Sequence, residues 1–178
     1  DMLVMSLATI GVTIPSFVIA SLLIYFFSYK LNWLPTFGLD SWKGYILPVV
    51  ALGGYSLSYM ARLMRSSLLE VMGQDYIRTA RAKGLSETSV ILKHAMRNAL
   101  IPVITVLGPT IANMMTGSFV IEKIFAIPGL GVHFVNSVSQ RDYTTITGVT
   151  IFYAAFLMAM IFIVDIFYCL IDPRIKYD

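Results

Sequence analysis

Two histidines, His94 and His133, and a single cysteine, Cys169, are the side chains that could supply a base near neutral pH, a thiolate or a soft metal ligand. Hydrolysis needs a nucleophile, a base and an orienting group that converge, and these residues are far apart in sequence. One cysteine allows neither an internal disulfide nor a multi-cysteine metal site, and it lies in an apolar run where a thiol acts as a small hydrophobe. No Gly-x4-Gly-Lys-Ser/Thr loop occurs, so ATP would have to be held by another chain. Neither a catalytic centre nor a metal or cofactor is expected. What remains is polar chemistry inside apolar surroundings. Thr105, Pro109, Asn113 and Thr116 are spaced four, four and three apart, which puts them on one stripe of a helix. An amide such as Asn113 in lipid requires a partner, either water in a pathway or a neighbouring helix. Thr105, Asn113 and Thr116 are therefore candidate pathway residues. Gly53, Gly54, Ser56 and Ser58 form a second small-residue patch, for which helix packing is the stronger reading. Asp165 reads as a snorkelling or helix-pairing carboxylate rather than an ion site.

The elements that carry these residues follow from composition. Of 178 residues, 57% are hydrophobic and 13% charged, and the mean hydropathy is +0.77, too apolar for a water-soluble globule of this size. About 20 apolar residues are needed to cross a bilayer, and four runs qualify: about 2–27, 46–64, 101–121 and 146–171. The first lacks the basic leader and small-residue cleavage site of a signal peptide, so it reads as a span. Helices of a soluble bundle keep a charged face, and the first and last runs have none. The expected fold is an all-α, polytopic membrane protein, a single transmembrane domain over residues 1–178 without internal repeats.

Net charge is only +3, with no basic stripe of the kind that binds nucleic acid. Its placement carries more information. Seven of the thirteen basic residues, Arg62, Arg65, Arg78, Arg81, Lys83, Lys93 and Arg97, fall between the second and third runs. Positive loops stay on the cytoplasmic side, so this loop, about 66–100, and both chain ends are expected there. The loops at 30–43 and 122–143 hold two basic residues each, together with Trp33, Trp42, Phe125 and Phe134, which suit an outer headgroup interface. His94 and His133 then fall on opposite sides of the membrane.

Within the charged loop the helix punctuation is clear. Asp75 is placed to cap a short helix over 76–83, Gly84 to end it with positive φ, and Ser86 to cap a second helix reaching Asn98. Two helices meeting at a glycine make a protruding elbow. Thr79, Ala80 and Ala82 are small enough for another protein to approach, and Arg78 and Arg81 share a face suited to an acidic groove. By charge alone, simple retention in the cytoplasm explains the loop equally well.

The order of residues distinguishes the two. Asp75-Tyr76-Ile77-Arg78-Thr79-Ala80-Arg81-Ala82-Lys83-Gly84-Leu85-Ser86, followed by His94-Ala95-x-Arg97-Asn98-Ala99-Leu100-x-Pro102, resembles the cytoplasmic coupling loop of membrane subunits of dipeptide- and oligopeptide-type ABC importers. The resemblance extends through Glu122-x-x-Phe125-x-x-Pro128-Gly129-x-Gly131, Arg141-Asp142-Tyr143 and Asp172-Pro173-Arg174-Ile175-x-Tyr177. Importer permeases in general carry Glu-Ala-Ala-x3-Gly. With its glycine on Gly84, Arg78 and Thr79 stand where Glu and the first Ala are expected, and Pro102 comes late, departures shared by peptide-type members. Members usually have six spans, which makes this chain resemble a carboxy-terminal part. The resemblance implies a type I importer permease of a bacterial or archaeal cytoplasmic membrane. Its implied partners are a second homologous permease, two ATP-binding subunits that dock on residues 75–86, an extracytoplasmic solute-binding protein and membrane lipid. The substrate would be a peptide or similar small solute such as a nickel complex. A fragment of an ion-gradient-driven transporter or channel would account for the spans and polar stripes, but not for the elbow.

Overall fold

The structure, a computed structural model, describes residues 2–171, with side chains as far as 168. The side chain of Cys169 and the matching segment from Asp172 to Tyr177, with Arg174 and Lys176, lie outside the described residues. All described elements are helical. They are α1 (Met2–Thr13), α2 (Ser16–Leu23, continued by a π-helical turn, Ile24–Lys30), α3 (Trp42–Met72), α4 (Asp75–Ala82), α5 (Glu87–Ser89, followed by a π turn, Val90–Ala95), α6 (Met96–Met115), α7 (Phe119–Ile124), α8 (Leu130–Gln140) and α9 (Tyr143–Ile171).

Three helices are long and apolar enough to cross a membrane, and a fourth crossing is possible if the bent pair at the amino end counts as one. The first apolar run is built of two helices rather than one. α1 and α2 meet at 107°. Pro15 stands at the break with φ −57° and ψ 142°, because proline offers no N–H and forces the preceding residue away from helical geometry. The third run is interrupted near its end: α6 stops at Met115, Gly117 turns the chain at φ +96°, and α7 begins at Phe119. The segment expected as an outer loop contains α7 and α8. Asp142 caps α9, its carboxylate accepting from the Thr145 amide (3.1 Å) and hydroxyl (2.6 Å).

Packing follows membrane logic. The buried positions are dominated by small residues, among them Ala8, Ala20, Ala51, Ala99 and Ala112, while large apolar side chains such as Leu57, Ile151, Met158 and Phe162 face outward. In lipid, helices associate through close approach of small residues rather than by hiding large ones from water. Gly108 shows the closeness: a Cβ there would come within 2.7 Å of Val164 and 3.1 Å of the Met160 carbonyl on α9. Gly54 and Ser58 of α3 receive Gly11 of α1 in the same way, so that part of the α3 patch is helix packing. Ile121 of α7 and Phe125 just after it pack with Ala20, Leu47 and Ala51 of α2 and α3.

α3 has 31 residues, about 46 Å at 1.5 Å per residue, against roughly 30 Å of hydrocarbon. α3 is therefore longer than a perpendicular crossing requires. The returning rod is continuous too, running from Glu87 through the π turn into α6 without stopping at Asn98 as its cap pattern suggested.

Candidate functional site

Between α3 and the rod that begins at Glu87 stands α4. It starts one residue earlier than expected, with Gln74 rather than Asp75 at the N-cap and no side-chain capping bond. Asp75 lies in the first turn, where a carboxylate suits the helix dipole, and pairs with Arg78 at 3.6 Å. Gly84 ends the helix at φ +76° with open space around its α-carbon, so only the backbone conformation demands glycine there. Ser86 caps the next helix as expected, its hydroxyl accepting from the Ser89 amide at 3.4 Å.

The elbow has a core of its own. Ile77 and Ala80 of α4 are buried with Val90 and Ala95, against Leu68, Val71 and Met72 at the end of α3. Ala80, expected on the surface offered to another protein, is instead 6% exposed and faces its own chain, because the i, i+3 spacing of Ile77 and Ala80 forms the inward stripe of α4. Arg81 is likewise engaged. Its guanidinium donates to both Glu87 carboxylate oxygens, Nη2 to Oε1 at 2.6 Å and Nε to Oε2 at 3.1 Å, clasping α4 to α5 across the glycine turn. This hydrogen bonding holds the Glu87 carboxyl below its ordinary value and raises Arg81. Tyr76 is braced from the other side, its hydroxyl accepting from Asn98 Nδ2 at 2.7 Å. Arg78, Thr79, Ala82, Lys83, Gly84, Leu85 and Ser86 remain exposed. Glu87 and Asn98 were missed as site residues; their signal is a lone acid just after the Gly-x-Ser helix start and a lone amide three turns further along the same rod.

The polar stripe of α6 faces α9. Tyr153 donates to Asn113 Oδ1 at 2.7 Å, and the Thr105 hydroxyl meets that of Tyr168. Thr116 bonds back to the carbonyls of Ala112 and Asn113. Two cavities meet at Asn113. One, of about 450 Å³, opens at the Pro15 break and is bordered by Thr13, Ser16, Tyr55, Ser56, Tyr59 and Asn113. The other, of about 590 Å³, lies among α6, α8 and α9, and Thr116 and Tyr153 also border it. Ser56 thus belongs to a cavity wall, unlike Gly54 and Ser58 of the same patch. The Thr105 hydroxyl also donates to the Ile101 carbonyl of its own helix at 2.9 Å, while the two tyrosines of α9 supply the partners from across the helix pair for Asn113 and Thr105; a hydroxyl in an otherwise apolar run is the signal that would have revealed them.

A shared elbow could arise in any polytopic protein, so the comparison with known proteins decides the kinship. Residues 1–177 match the family model described as binding-protein-dependent transport system inner membrane component. The chain belongs to this permease family. It is 54% identical over 176 residues to the dipeptide transport system permease protein DppB of Bacillus subtilis (strain 168), covering 99% of this chain and 57% of the relative. It is 47% identical over 177 residues to the glutathione transport system permease protein GsiC of Salmonella typhimurium (strain LT2), and 46% to that of Escherichia coli (strain K12), in each case 99% of this chain and 58% of the relative. The chain thus spans a little over half the length of these permeases. Family and apolar helices together make it part of a multi-pass membrane protein.

Proposed function

We propose that this chain is the coupling and pathway-forming part of a permease subunit in an ATP-driven importer, with residues 75–86 as the handle gripped by a separate ATPase. The observation that carries the proposal is a braced elbow in a chain of this permease family: a short helix with its own core, set between α3 and the rod that leads into α6. Exposed Arg78, Thr79, Ala82, Lys83, Gly84, Leu85 and Ser86 form the docking face. Asp75 and Tyr76 shape its start, while Ala80 and Arg81 fix α4 to its own chain. ATP acts through its differential affinity for two arrangements of the paired ATPases. A rigid elbow passes that movement to the spans as rocking between inward- and outward-open states.

In this reading the elbow and both chain ends are cytoplasmic, a second homologous permease completes the pathway, two ATPase subunits lie below it, and a solute-binding protein delivers substrate outside. Membrane spans lie near 2–27, 46–64, 101–121 and 146–171. Asn113 and Thr116 line the pathway where the two cavities meet, and Thr105 forms the helix-pairing end of the same stripe. The relatives named for dipeptide and glutathione transport support a short peptide as substrate. Reconstitution with the ATPase and binding protein in vesicles tests this: ATP-dependent dipeptide uptake that ion gradients alone do not drive is expected. Uptake driven by an ion gradient without ATP would overturn it.

A further inference from the structure

At the opposite end from the elbow, a charged side chain is buried in a site built for it. Glu122 of α7 is 7% exposed, and its Oε2 accepts from the Val132 amide in the first turn of α8 at 2.8 Å. Three glycines make the room. A Cβ on Gly117, Gly129 or Gly131 would press on the carboxylate, in the last case at 3.1 Å from Oε2. Gly129 has φ −108°, which any residue can adopt, so its lack of a side chain serves Glu122 and not the backbone. Burying a carboxylate is costly unless hydrogen bonds hold it, and the start of a helix supplies amide donors and a favourable dipole.

The neighbours on α7 point elsewhere. Ile121, and Phe125 just beyond the helix, insert between α2 and α3, while α8 packs along α9. α7 is thus a wedge with an apolar face seated in one half of the bundle and an acid fastened to a helix belonging to the other.

We propose that Glu122 is a positioning residue for transport: a fastener that makes α8, at the outer mouth, follow the wedge as the two halves of the bundle rock. This inference rests on the importer reading. Without the fastener, the ATPases still cycle, but the outer mouth no longer follows, and substrate is not carried.

The test uses the whole permease reconstituted with its partner permease, ATPases and binding protein, and reads ATP hydrolysed per peptide imported. Glu122→Ala is expected to raise that ratio roughly tenfold at normal assembly, because ATP free energy no longer biases the outer mouth. Glu122→Gln keeps an acceptor for the Val132 amide and is expected to stay within about twofold. Gly129→Ala should resemble Glu122→Ala by displacing the carboxylate, and the double variant should be no worse than either alone, as expected for residues acting through one contact. An unchanged ratio in Glu122→Ala overturns the proposal, as does Glu122→Gln failing as badly as Glu122→Ala. Loss of assembly in both Glu122→Ala and Gly129→Ala assigns Glu122 to folding alone and also overturns it. Failure of the importer reading is seen separately, as an absence of ATP-driven uptake by the wild-type complex.

Discussion

The two ends of the molecule solve the same problem with opposite chemistry. At the elbow, a short helix is held by exposed polar braces, Arg81 to Glu87 and Asn98 to Tyr76, over a small apolar core. At the α7–α8 end, a single buried carboxylate in a glycine cradle does the fastening. Exposed ion pairs are weak and screened by salt, whereas a buried hydrogen-bonded charge is costly to disturb. If the elbow is the docking handle proposed above, its braces suit contacts made and broken in water, while the buried carboxylate suits a contact kept throughout.

Substitutions can break the elbow side of that contrast in graded fashion. Ala80→Asp would bury an unpaired carboxylate in the elbow core, at several kcal/mol. It is expected to abolish uptake and expose residues 73–90 to protease while leaving the spans inserted. Gly84→Val forces a β-branched residue to φ +76°, a cost of about 1–2 kcal/mol or more. Uptake should fall by roughly tenfold or more, and Gly84→Asn, which tolerates this conformation, should retain most of it.

The clasp itself is sharpened by a charge exchange. Arg81→Glu and Glu87→Arg singly should each lower uptake by a few-fold, on the order of an exposed pair's contribution, and the double exchange should recover most of it. If Arg81 contacted the ATPase directly instead, the exchange would leave uptake low. The smallest expected effect is of pH on the purified chain. Because the Glu87 carboxyl is held below its ordinary 4.5, the clasp contributes fully above that value and is lost as pH falls through the depressed one. Protease resistance of the elbow should therefore hold from neutral pH to about 5 and decline only in stronger acid, whereas Glu87→Gln should show no such dependence.

What the sequence reveals follows the range of the interactions. Gly84 and Ser86 were legible because caps and turns are decided by a few adjacent residues, whereas α4 itself begins and ends one residue before its expected bounds, with Gln74 in place of Asp75 at the N-cap. Among the described residues α3, α6 and α9 overlap the second, third and fourth apolar runs, since hydropathy is also summed over neighbours in sequence. Pro15 was visible, but not its effect: Pro48, Pro102 and Pro109 sit inside helices that continue, so whether a proline breaks a span depends on the packing around it. The inward turn of Ala80, the Arg81 clasp, the Tyr153 and Tyr168 partners and the burial of Glu122 depend on contacts across the fold. Glu122 could be seen only as part of a motif, since nothing in Glu-x6-Gly-x-Gly says that the glycines close around the acid.

The central claim is that the elbow around Gly84 lies in the cytoplasm and is covered by an ATPase. Its most direct test is a cysteine at exposed Leu85, placed in a Cys169→Ser background and probed with a membrane-impermeant thiol reagent. The account predicts no labelling in intact cells, labelling in inverted vesicles stripped of ATPase, and protection when the ATPase subunits are restored. Labelling from outside intact cells would contradict it.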